Sequence, residues 1–117
     1  MSSVFLDTWT RLSEIENHIE DELASAGLDL KPIEAYILKE LYTENCQHAS
    51  TLAKKLGRAA TSFTPILDKV QDKGYLHRVP DGNDRRAVFI CLTVDGDLIK
   101  NRLLQTLERI EKKLGKK

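Results

Sequence analysis

The hydrophobic period of the chain changes at Gly74, and that change limits the folds open to it. Before Gly74, apolar residues recur every three or four positions, as they do along one face of a helix. After it they alternate, as they do in a half-buried strand, and the turn-forming run Pro80-Asp81-Gly82-Asn83 interrupts the alternation. The sequence therefore predicts packed helices followed by one β-hairpin, with strands over 75–79 and 87–92.

The predicted order of elements is helix, helix, helix, helix, hairpin, helix. The helices are expected over residues 3–26, 32–45, 50–56 and 60–73, and from Thr93 onward. Pro32 suits a first helical turn because its φ is fixed, and Thr93 is a good N-cap residue. This order predicts a mainly α protein with a small β-hairpin, namely a winged helix-turn-helix flanked by N- and C-terminal helices.

The formal net charge of the 117 residues is zero, but the charges are segregated along the chain. Residues 1–45 carry ten acidic and three basic side chains, residues 46–91 carry eight basic and four acidic, and residues 92–117 carry seven basic and four acidic. A basic central segment attracts polyanions while overall neutrality is kept. Charge alone does not separate a nucleic-acid-binding face from an ordinary solvated surface.

We expect a single domain with three parts: an N-terminal dimerisation helix (1–28), a winged helix-turn-helix core (29–93) and a C-terminal dimerisation helix (94–117). Both terminal helices carry an apolar stripe, and a core of this size cannot obviously bury all of it. The residues expected to pair with a second copy are Phe5, Trp9, Leu12, Leu103, Leu107, Ile110 and Leu114. The alternative is that the terminal helices fold back on the same monomer.

The helices predicted over 50–56 and 60–73 have the spacing of a helix-turn-helix. Ala53 is small where the helices must approach, Gly57 can take the positive φ of a tight turn, and Phe63 can fill the space between them. In such a pair the first helix braces the second, whose outer face can enter the major groove of duplex DNA. The alternative is an ordinary helical hairpin without a ligand.

The outer face of this helix pair carries side chains that can bond to DNA. Hydroxyl groups bond to bases or phosphates, and arginine and lysine neutralise phosphates or read guanine. The residues of the helix pair expected to contact DNA are Arg58, Thr61, Ser62, Thr64, Pro65, Lys69, Lys54 and Lys55, and Arg78 on the strand that follows is expected to contact DNA as well. Thr61 or Ser62 could instead only cap the second helix, since Ala59 and Ala60 cannot.

The tip of the predicted hairpin is basic. Arg85 and Arg86 lie beside the turn and can reach a neighbouring minor groove, whose narrow A·T-rich stretches attract arginine. Asp84 is expected to orient one of the two arginines through an ion pair and to leave the other free to enter the groove. The alternative is a solvated tip with a local salt bridge.

The residues of the hairpin resemble those of a known family. The run Asp84-Arg85-Arg86-Ala87-Val88-Phe89-Ile90-Cys91-Leu92-Thr93-Val94-Asp95-Gly96 is similar to the wing of the MarR family of bacterial transcription regulators. Upstream, the family pattern is matched by Leu52-Ala53, Leu56-Gly57, Thr64, Lys73-Gly74-Tyr75 and Arg78. The resemblance covers residues 30–96. It implies a homodimer on a pseudo-palindromic operator, with residues 60–73 in the major groove and Arg85 or Arg86 in the minor groove. It also implies repression, often relieved by a small ligand or by oxidation.

Two features depart from the family pattern. Pro65 stands where an arginine is common, and because it lacks an N–H it favours a helix that starts near Thr61 or Ser62. Only about two dozen residues follow Thr93, whereas the family has room for two C-terminal helices, so the dimer interface and any ligand pocket beneath it are open questions.

No motif in the sequence indicates catalysis, a metal or a cofactor. There is no phosphate-binding loop, nucleophile elbow or zinc spacing, so we expect a protein that is not an enzyme. No run reaches the length of a membrane span and no signal peptide is visible, so a cytoplasmic protein is expected. Cys46 and Cys91 do not form a disulfide-scaffold pattern, and either could sense oxidant only if exposed and made acidic by its neighbours. The remaining alternative is a winged-helix protein-interaction module that does not bind DNA.

Overall fold

The computed structural model describes residues 3–115 as helices and strands joined by short connections. The bounds are α1 Ser3–Ser25, α2 Pro32–Thr43, β1 Gln47–His48, α3 Ala49–Lys55, α4 Ala60–Asp72, β2 Leu76–Asp81, β3 Asp84–Leu92, α5 Val94–Leu98 and α6 Lys100–Gly115. The predicted terminal parts 1–28 and 94–117 include residues 1–2 and 116–117, which lie outside this range. Within it, none of the helices combines the length and apolar character needed to cross a bilayer.

The fold class is the predicted one: mainly helical, with a winged helix-turn-helix. The first four helices begin and end within one or two residues of their predicted bounds. The last predicted helix is wrong in one respect, because it is divided into α5 and α6 at Ile99. Thr93 caps α5 as predicted, since its Oγ1 accepts a 3.0 Å hydrogen bond from the N–H of Gly96.

The sheet has three strands, not the two that were predicted, in the order β1-β3-β2 and antiparallel throughout. The strand β1 contributes only two residues, with Gln47 opposite Ile90 and His48 opposite Phe89. The hairpin strands are also longer than predicted and reach Asp81 and Asp84. The turn-forming residues Pro80 and Asp81 therefore belong to β2, and the central strand β3 bonds to neighbours on both sides.

The register of β1 brings the two cysteines together. Cys46 precedes Gln47 and Cys91 follows Ile90, so the next pair in the register is Cys46 with Cys91, whose Cα atoms lie 4.2 Å apart. The two residues form a disulfide across 45 positions of sequence. The sequence did not indicate this bond, because a strand of two residues is too short to leave a period-2 pattern.

The contacts divide the chain into two compact units. One unit contains residues up to 32 together with those from 102 onward, and its buried side chains include Leu23, Leu103, Leu107 and Ile110. Within this unit α1 and α6 are joined by the carboxylate of Glu22, which lies 2.6 Å from Nζ of Lys113 and 3.4 Å from Nε of Arg109. The cationic partners, first the Lys113 ammonium, lower the pKa of the Glu22 carboxyl.

The other unit, residues 33–101, contains the helix pair and the sheet. Its buried apolar side chains come from α2, α3, α4, β2 and β3, and they include Ile37, Leu38, Leu41, Leu52, Phe63, Leu67, Val70, Leu76 and Ile90. Phe63 is 1 % exposed, as expected for a side chain predicted to fill the space between the two helices. Because α3 contacts α4 and β3, and α4 contacts β2, the hairpin and the helix pair share one core.

Candidate nucleic-acid interface

The turn between α3 and α4 is fixed by a backbone motif at Gly57. The N–H of Gly57 donates to the carbonyl of Lys54 at 3.1 Å, and the N–H of Arg58 donates to that of Ala53 at 2.8 Å. This pair of bonds satisfies the last carbonyls of α3 and requires a left-handed residue, which Gly57 supplies at φ +68°. The prediction of a tight turn at Gly57 is confirmed.

The helix α4 begins one residue earlier than Pro65 had suggested. Ala59 is its N-cap, with no side-chain cap, and the carbonyl of Ala59 accepts from the N–H groups of Ser62 and Phe63. The expectation that Thr61 or Ser62 caps the helix is therefore wrong: the Ser62 hydroxyl itself donates to the Ala59 carbonyl at 3.0 Å. Backbone geometry at the turn, not a side-chain cap, sets the helix start.

Pro65 lies inside α4, in its second turn. A proline there has no N–H for the carbonyl four residues earlier, which is that of Thr61. Pro65 and Thr61 are both exposed, so the proline ring and this carbonyl lie on the solvent-facing side of α4. The outer face of α4 thus carries a rigid apolar ring and one backbone carbonyl without its helical amide.

The rest of the predicted outer face is exposed as expected. The exposed residues of this set are Arg58, Thr61, Ser62, Thr64, Pro65 and Lys69. The hydroxyl of Thr64 donates to the carbonyl of Ala60 at 3.2 Å, so its oxygen can still accept a hydrogen bond. Within residues 3–115, Arg58 and Lys69 make no ion pair, so both cations are available to phosphates.

Arg78 on β2 is turned toward α4. Its guanidinium lies 2.8 Å from the carboxylate of Asp68 and donates to the Gln71 side chain at 2.5 Å, with a longer 3.5 Å contact to the Thr64 carbonyl. This fork joins the first hairpin strand to the helix that carries Thr64 and Lys69. Arg78 was expected to contact DNA, but its hydrogen-bonding capacity is used largely within the protein.

The two lysines of α3 are placed differently from each other. Lys54 is exposed and makes no ion pair with a described residue, whereas Lys55 donates to the Gln47 side chain at 2.8 Å and lies 3.6 Å from Glu40. Lys54 is thus the freer of the two for a phosphate. Gln47, which is 4 % exposed, also donates to the carbonyls of Glu40 and Glu44 and so holds β1 against α2.

Asp84 acts on the backbone of the hairpin and not on a guanidinium. Its Oδ1 accepts a 2.9 Å hydrogen bond from the N–H of Arg86, and in the described part of the chain it forms no ion pair with Arg85 or Arg86. The expected ion pair is therefore wrong, since the carboxylate is used at the turn. Both arginine side chains remain exposed at the start of β3.

One groove brings the hairpin and α4 together. It has a volume of about 290 Å³, and the residues lining it include Ala60, Phe63 and Thr64 on α4 and Arg86 and Val88 on β3. Arg86 therefore borders the same concave surface as the outer helix residue Thr64. Of the outer-face residues of α4, Thr64 lines this groove, and Arg86 is the wing arginine that lines it.

His48 was missed by the sequence analysis and connects the helix pair to the hairpin. It is the N-cap of α3, its ring stacks on that of Phe89 with centroids 4.3 Å apart, and its Nε2 lies 2.9 Å from Oδ2 of Asp81. The N–H of Asn83, and next the His48 ring, lower the pKa of the Asp81 carboxyl. Among residues 3–115 no cluster of three or more His, Cys, Asp or Glu could hold a metal ion.

The residues expected at a dimer interface fall into two groups. Leu103, Leu107 and Ile110 are 0–2 % exposed, so burial within the chain accounts for them. This corrects the expectation that the whole α6 stripe faces a second copy. By contrast, Phe5, Trp9, Leu12 and Leu114 are 72 %, 62 %, 59 % and 45 % exposed.

Comparisons with known proteins agree with this architecture. The model of the MarR family matches residues 30–88. The multiple antibiotic resistance protein MarR of Escherichia coli strain K12 is 33% identical over 92 residues, covering 76% of this chain and 64% of that protein. The HTH-type transcriptional regulator MhqR of Bacillus subtilis strain 168 is 30% identical over 82 residues, covering 70% and 55%.

Among solved structures, that of reduced AbfR bound to DNA has a TM-score of 0.79 at 18% identity, covering 92% of this chain and 74% of that one. That likeness concerns the fold. The chain spans less than two thirds of the length of MarR of Escherichia coli and of MhqR of Bacillus subtilis. The matched segment, residues 30–88, includes the helix pair and most of the hairpin, and on this match the chain belongs to the MarR family.

Proposed function

We propose that this chain is a sequence-specific regulator of transcription that binds duplex DNA as a homodimer, probing two half-sites of a pseudo-palindromic operator. In each copy α4 enters the major groove, and Arg85 or Arg86 enters the adjacent minor groove. Repression is the expected outcome, because a dimer seated on an operator blocks other proteins from it. Such a regulator works in the cytoplasm, where bacterial DNA lies, and has no catalytic role.

The observation that carries this proposal is the groove shared by Arg86 and Thr64. A recognition helix and an arginine on a hairpin can bind adjacent grooves of a duplex only if they border one surface. On the helix pair, Lys54, Arg58 and Lys69 are exposed cations. Each phosphate that they neutralise would release a condensed counterion and favour binding.

The relatives support the same proposal. MhqR is named as an HTH-type transcriptional regulator, and AbfR was solved bound to DNA. Pro65, in place of a long basic side chain, leaves α4 to read bases through Thr61, Ser62 and Thr64 by short contacts.

The first experiment selects bound duplexes from a random pool and then measures the affinity of the Arg85→Ala, Arg86→Ala double variant for the selected site. We expect a palindrome, and a loss of about 1–3 kcal/mol for each good contact removed, with a shallower dependence on salt. The matched control is Lys39→Ala with Lys100→Ala, which removes two positive charges outside the helix pair and hairpin.

The control pair should bind within about twofold of the parent, because distant surface charges act weakly at physiological salt. Equal losses of DNA affinity in both double variants would mean that the loss reflects net charge alone, and the hairpin would then not belong to the proposed interface. No enrichment of any duplex at low salt would contradict DNA binding and favour the alternative of a protein-interaction module.

Dimerisation is proposed through the exposed apolar side chains of α1. Phe5, Trp9 and Leu12, with Val4 and Leu6 beside them, are each more than half exposed, which is an unusual concentration of apolar surface for one helix. We expect Trp9→Ser with Leu12→Ser to shift the protein to monomers in analytical ultracentrifugation. Val94→Ser with Leu98→Ser, which removes a similarly exposed pair from α5, should leave the dimer intact.

A further inference from the structure

The side of α4 that faces away from the core has a composition that limits which bases it can select. Four exposed residues follow one another along this side at spacings of four, three and four, so they lie on one line of the helix: Thr61, Pro65, Asp68 and Asp72. We call this line the outer ridge. The buried side chains of α4, such as Phe63, lie on the opposite side. With α4 in the major groove, the outer ridge is the part of the helix that points at the base edges.

The outer ridge contains neither arginine nor lysine. Arg58 precedes α4, because Ala59 is the N-cap, and Lys69 lies seven positions after Ser62, on a flank of the helix. Arginine or lysine bound to O6 and N7 of guanine is the commonest specific contact in the major groove. The ridge does not offer that contact, so guanine is a poor match for it.

The polar groups around Pro65 are chiefly hydrogen-bond acceptors. The hydroxyl groups of Ser62 and Thr64 donate their hydrogens to backbone carbonyls at the start of α4, at 3.0 Å and 3.2 Å, and keep only their oxygens for a base. The carboxylate of Asp68, which is paired with Arg78 and 57 % exposed, also accepts and cannot donate. Acceptors of this kind pair with the amino groups of adenine and cytosine and are opposed by O6 and N7 of guanine.

The ring of Pro65 adds an apolar contact at the middle of these acceptors. It is exposed and lies in the second turn of α4, within the N-terminal part of a recognition helix that reaches base edges. Because a proline side chain has almost no rotamer freedom to lose, burying it against a ligand costs little entropy. The apolar group in the major groove is the C5-methyl of thymine, and an A·T pair presents it beside the amino group of adenine.

From these observations we infer that Pro65 is a specificity-determining residue, whose ring contacts the C5-methyl group of one thymine in each half-site while the acceptors around it favour A·T over G·C at that position. The inference rests on the proposed function and adds to it the base pair that α4 selects. A G·C pair would place two guanine acceptors against a surface of acceptors and would leave the proline ring without a methyl group to cover.

The first test replaces each thymine of the selected duplex in turn by uracil, which lacks the C5-methyl group and pairs in the same way. We expect one thymine in each half-site at which the parent loses affinity, by about fourfold for one half-site and about 15-fold for both, the size expected for one buried methyl group in each. If the parent binds every uracil-substituted duplex as tightly as the selected one, the inference is overturned.

The variant Pro65→Ala assigns the contact to the ring. Alanine restores the N–H that the helix lacks at this position, so the variant is expected to fold. At the sensitive position it should bind the thymine and uracil duplexes nearly equally. The matched control is Pro32→Ala, which changes a proline at the start of α2 and should keep the full sensitivity of the parent. A uracil effect of the same size in Pro65→Ala would overturn the assignment to Pro65.

The acceptors around Pro65 are tested by exchanging the base pair. At the sensitive position, A·T is replaced by G·C and by a pair of guanine with 5-methylcytosine, which restores a methyl group but not the amino group of adenine. We expect the methylated pair to bind about fourfold more tightly than G·C. It should still bind more weakly than A·T, because guanine sets acceptors against acceptors. Equal binding of the methylated pair and A·T would overturn the selection of A·T by the acceptors.

A second selection, made with Pro65→Arg, separates this inference from the proposed function. The variant should enrich guanine at this position, since arginine can bind its O6 and N7. Guanine already enriched by the parent would overturn the inference and leave DNA binding standing. If no form of the chain enriches any duplex, the proposed function itself fails and the inference fails with it.

Discussion

The phenol of Tyr42 on α2 donates a 2.7 Å hydrogen bond to the backbone carbonyl of Gly96 on α5. This bond connects the helix that leads to β1 with the short helix that follows the wing. At the same place Thr93 caps α5 and donates its hydroxyl hydrogen to the carbonyl of Gly74 at 2.6 Å. The base of the hairpin is therefore fixed by hydrogen bonds around Gly96.

Tyr42 should lose its phenolic proton at a higher pH than an ordinary tyrosine does. Burial, with Asp97 and Tyr75 adding to it, raises the pKa of Tyr42 from 10.0 to about 12. Because the fold favours the neutral phenol, its contribution to stability is fully present below pH 10 and is lost as the pH rises toward 12. Absorbance of tyrosinate against pH should show a late step that disappears in Tyr42→Phe and survives in Tyr36→Phe. A late step that remains in Tyr42→Phe would assign it elsewhere.

A methyl group at Gly96 should destabilise the fold. An added Cβ would meet the backbone carbonyl oxygen of Tyr75 closer than two atoms can approach, and neither belongs to a flexible side chain. We expect Gly96→Ala to lower the free energy of unfolding by about 1–3 kcal/mol, measured by urea denaturation. At Gly82 in the hairpin turn a Cβ meets nothing within 4 Å, so Gly82→Ala should change it by less than about 0.5 kcal/mol. Similar losses in the two variants would show that packing at Gly96 is not the cause.

Asp81 should make the wing sensitive to acid. The Asn83 N–H and the His48 ring lower the pKa of its carboxyl below the ordinary value of 3.8. Its contribution is therefore present above pH 3.8 and is lost as the pH falls through the lower folded value. The difference in unfolding free energy between the parent and Asp81→Asn should shrink as the pH falls below 3.8. Asp72→Asn, at an exposed carboxylate, is the control, and a pH-independent difference at Asp81 would contradict the assignment.

Arg78 and Asp68 should be energetically coupled, but weakly. Their side chains are 29 % and 57 % exposed, so water screens the 2.8 Å ion pair. A double-mutant cycle of Arg78→Ala and Asp68→Ala, read by urea denaturation, should give a coupling of about 0.2–1 kcal/mol. A coupling of zero would mean that Arg78 acts through its bonds to Gln71 and Thr64 and not through the carboxylate.

The helices were predictable because their signals are local and repeated. The apolar residues of α1 recur over about six helical turns. The end of α3 is marked by Gly57, whose φ of +68° is unfavourable for residues with a side chain. The hairpin was predictable in the same way, from alternation on both sides of a turn. The exposed outer face of α4 followed directly, because once Phe63 is assigned to the core the opposite side of the helix must face outward.

The missed features depend on contacts between distant segments. The strand β1 has two residues and exists because β3 lies beside it, and the pairing of Cys46 with Cys91 and of His48 with Asp81 depends on that strand. The break at Ile99 leaves no mark in an apolar pattern that continues through it. Asp84 was assigned to a guanidinium because the hydrogen bond from the N–H of Arg86 to its carboxylate depends on the geometry of the turn, which the sequence does not reveal.

The order of the sheet has a consequence for assembly. A strand from a second chain could join only at an outer edge, and β1 offers two residues there. The other edge belongs to β2, where Pro80 has no N–H to offer a newcomer. The shortness of β1 and the proline of β2 thus disfavour strand addition at these two edges, so contact between copies of the chain is left chiefly to the surfaces of helices.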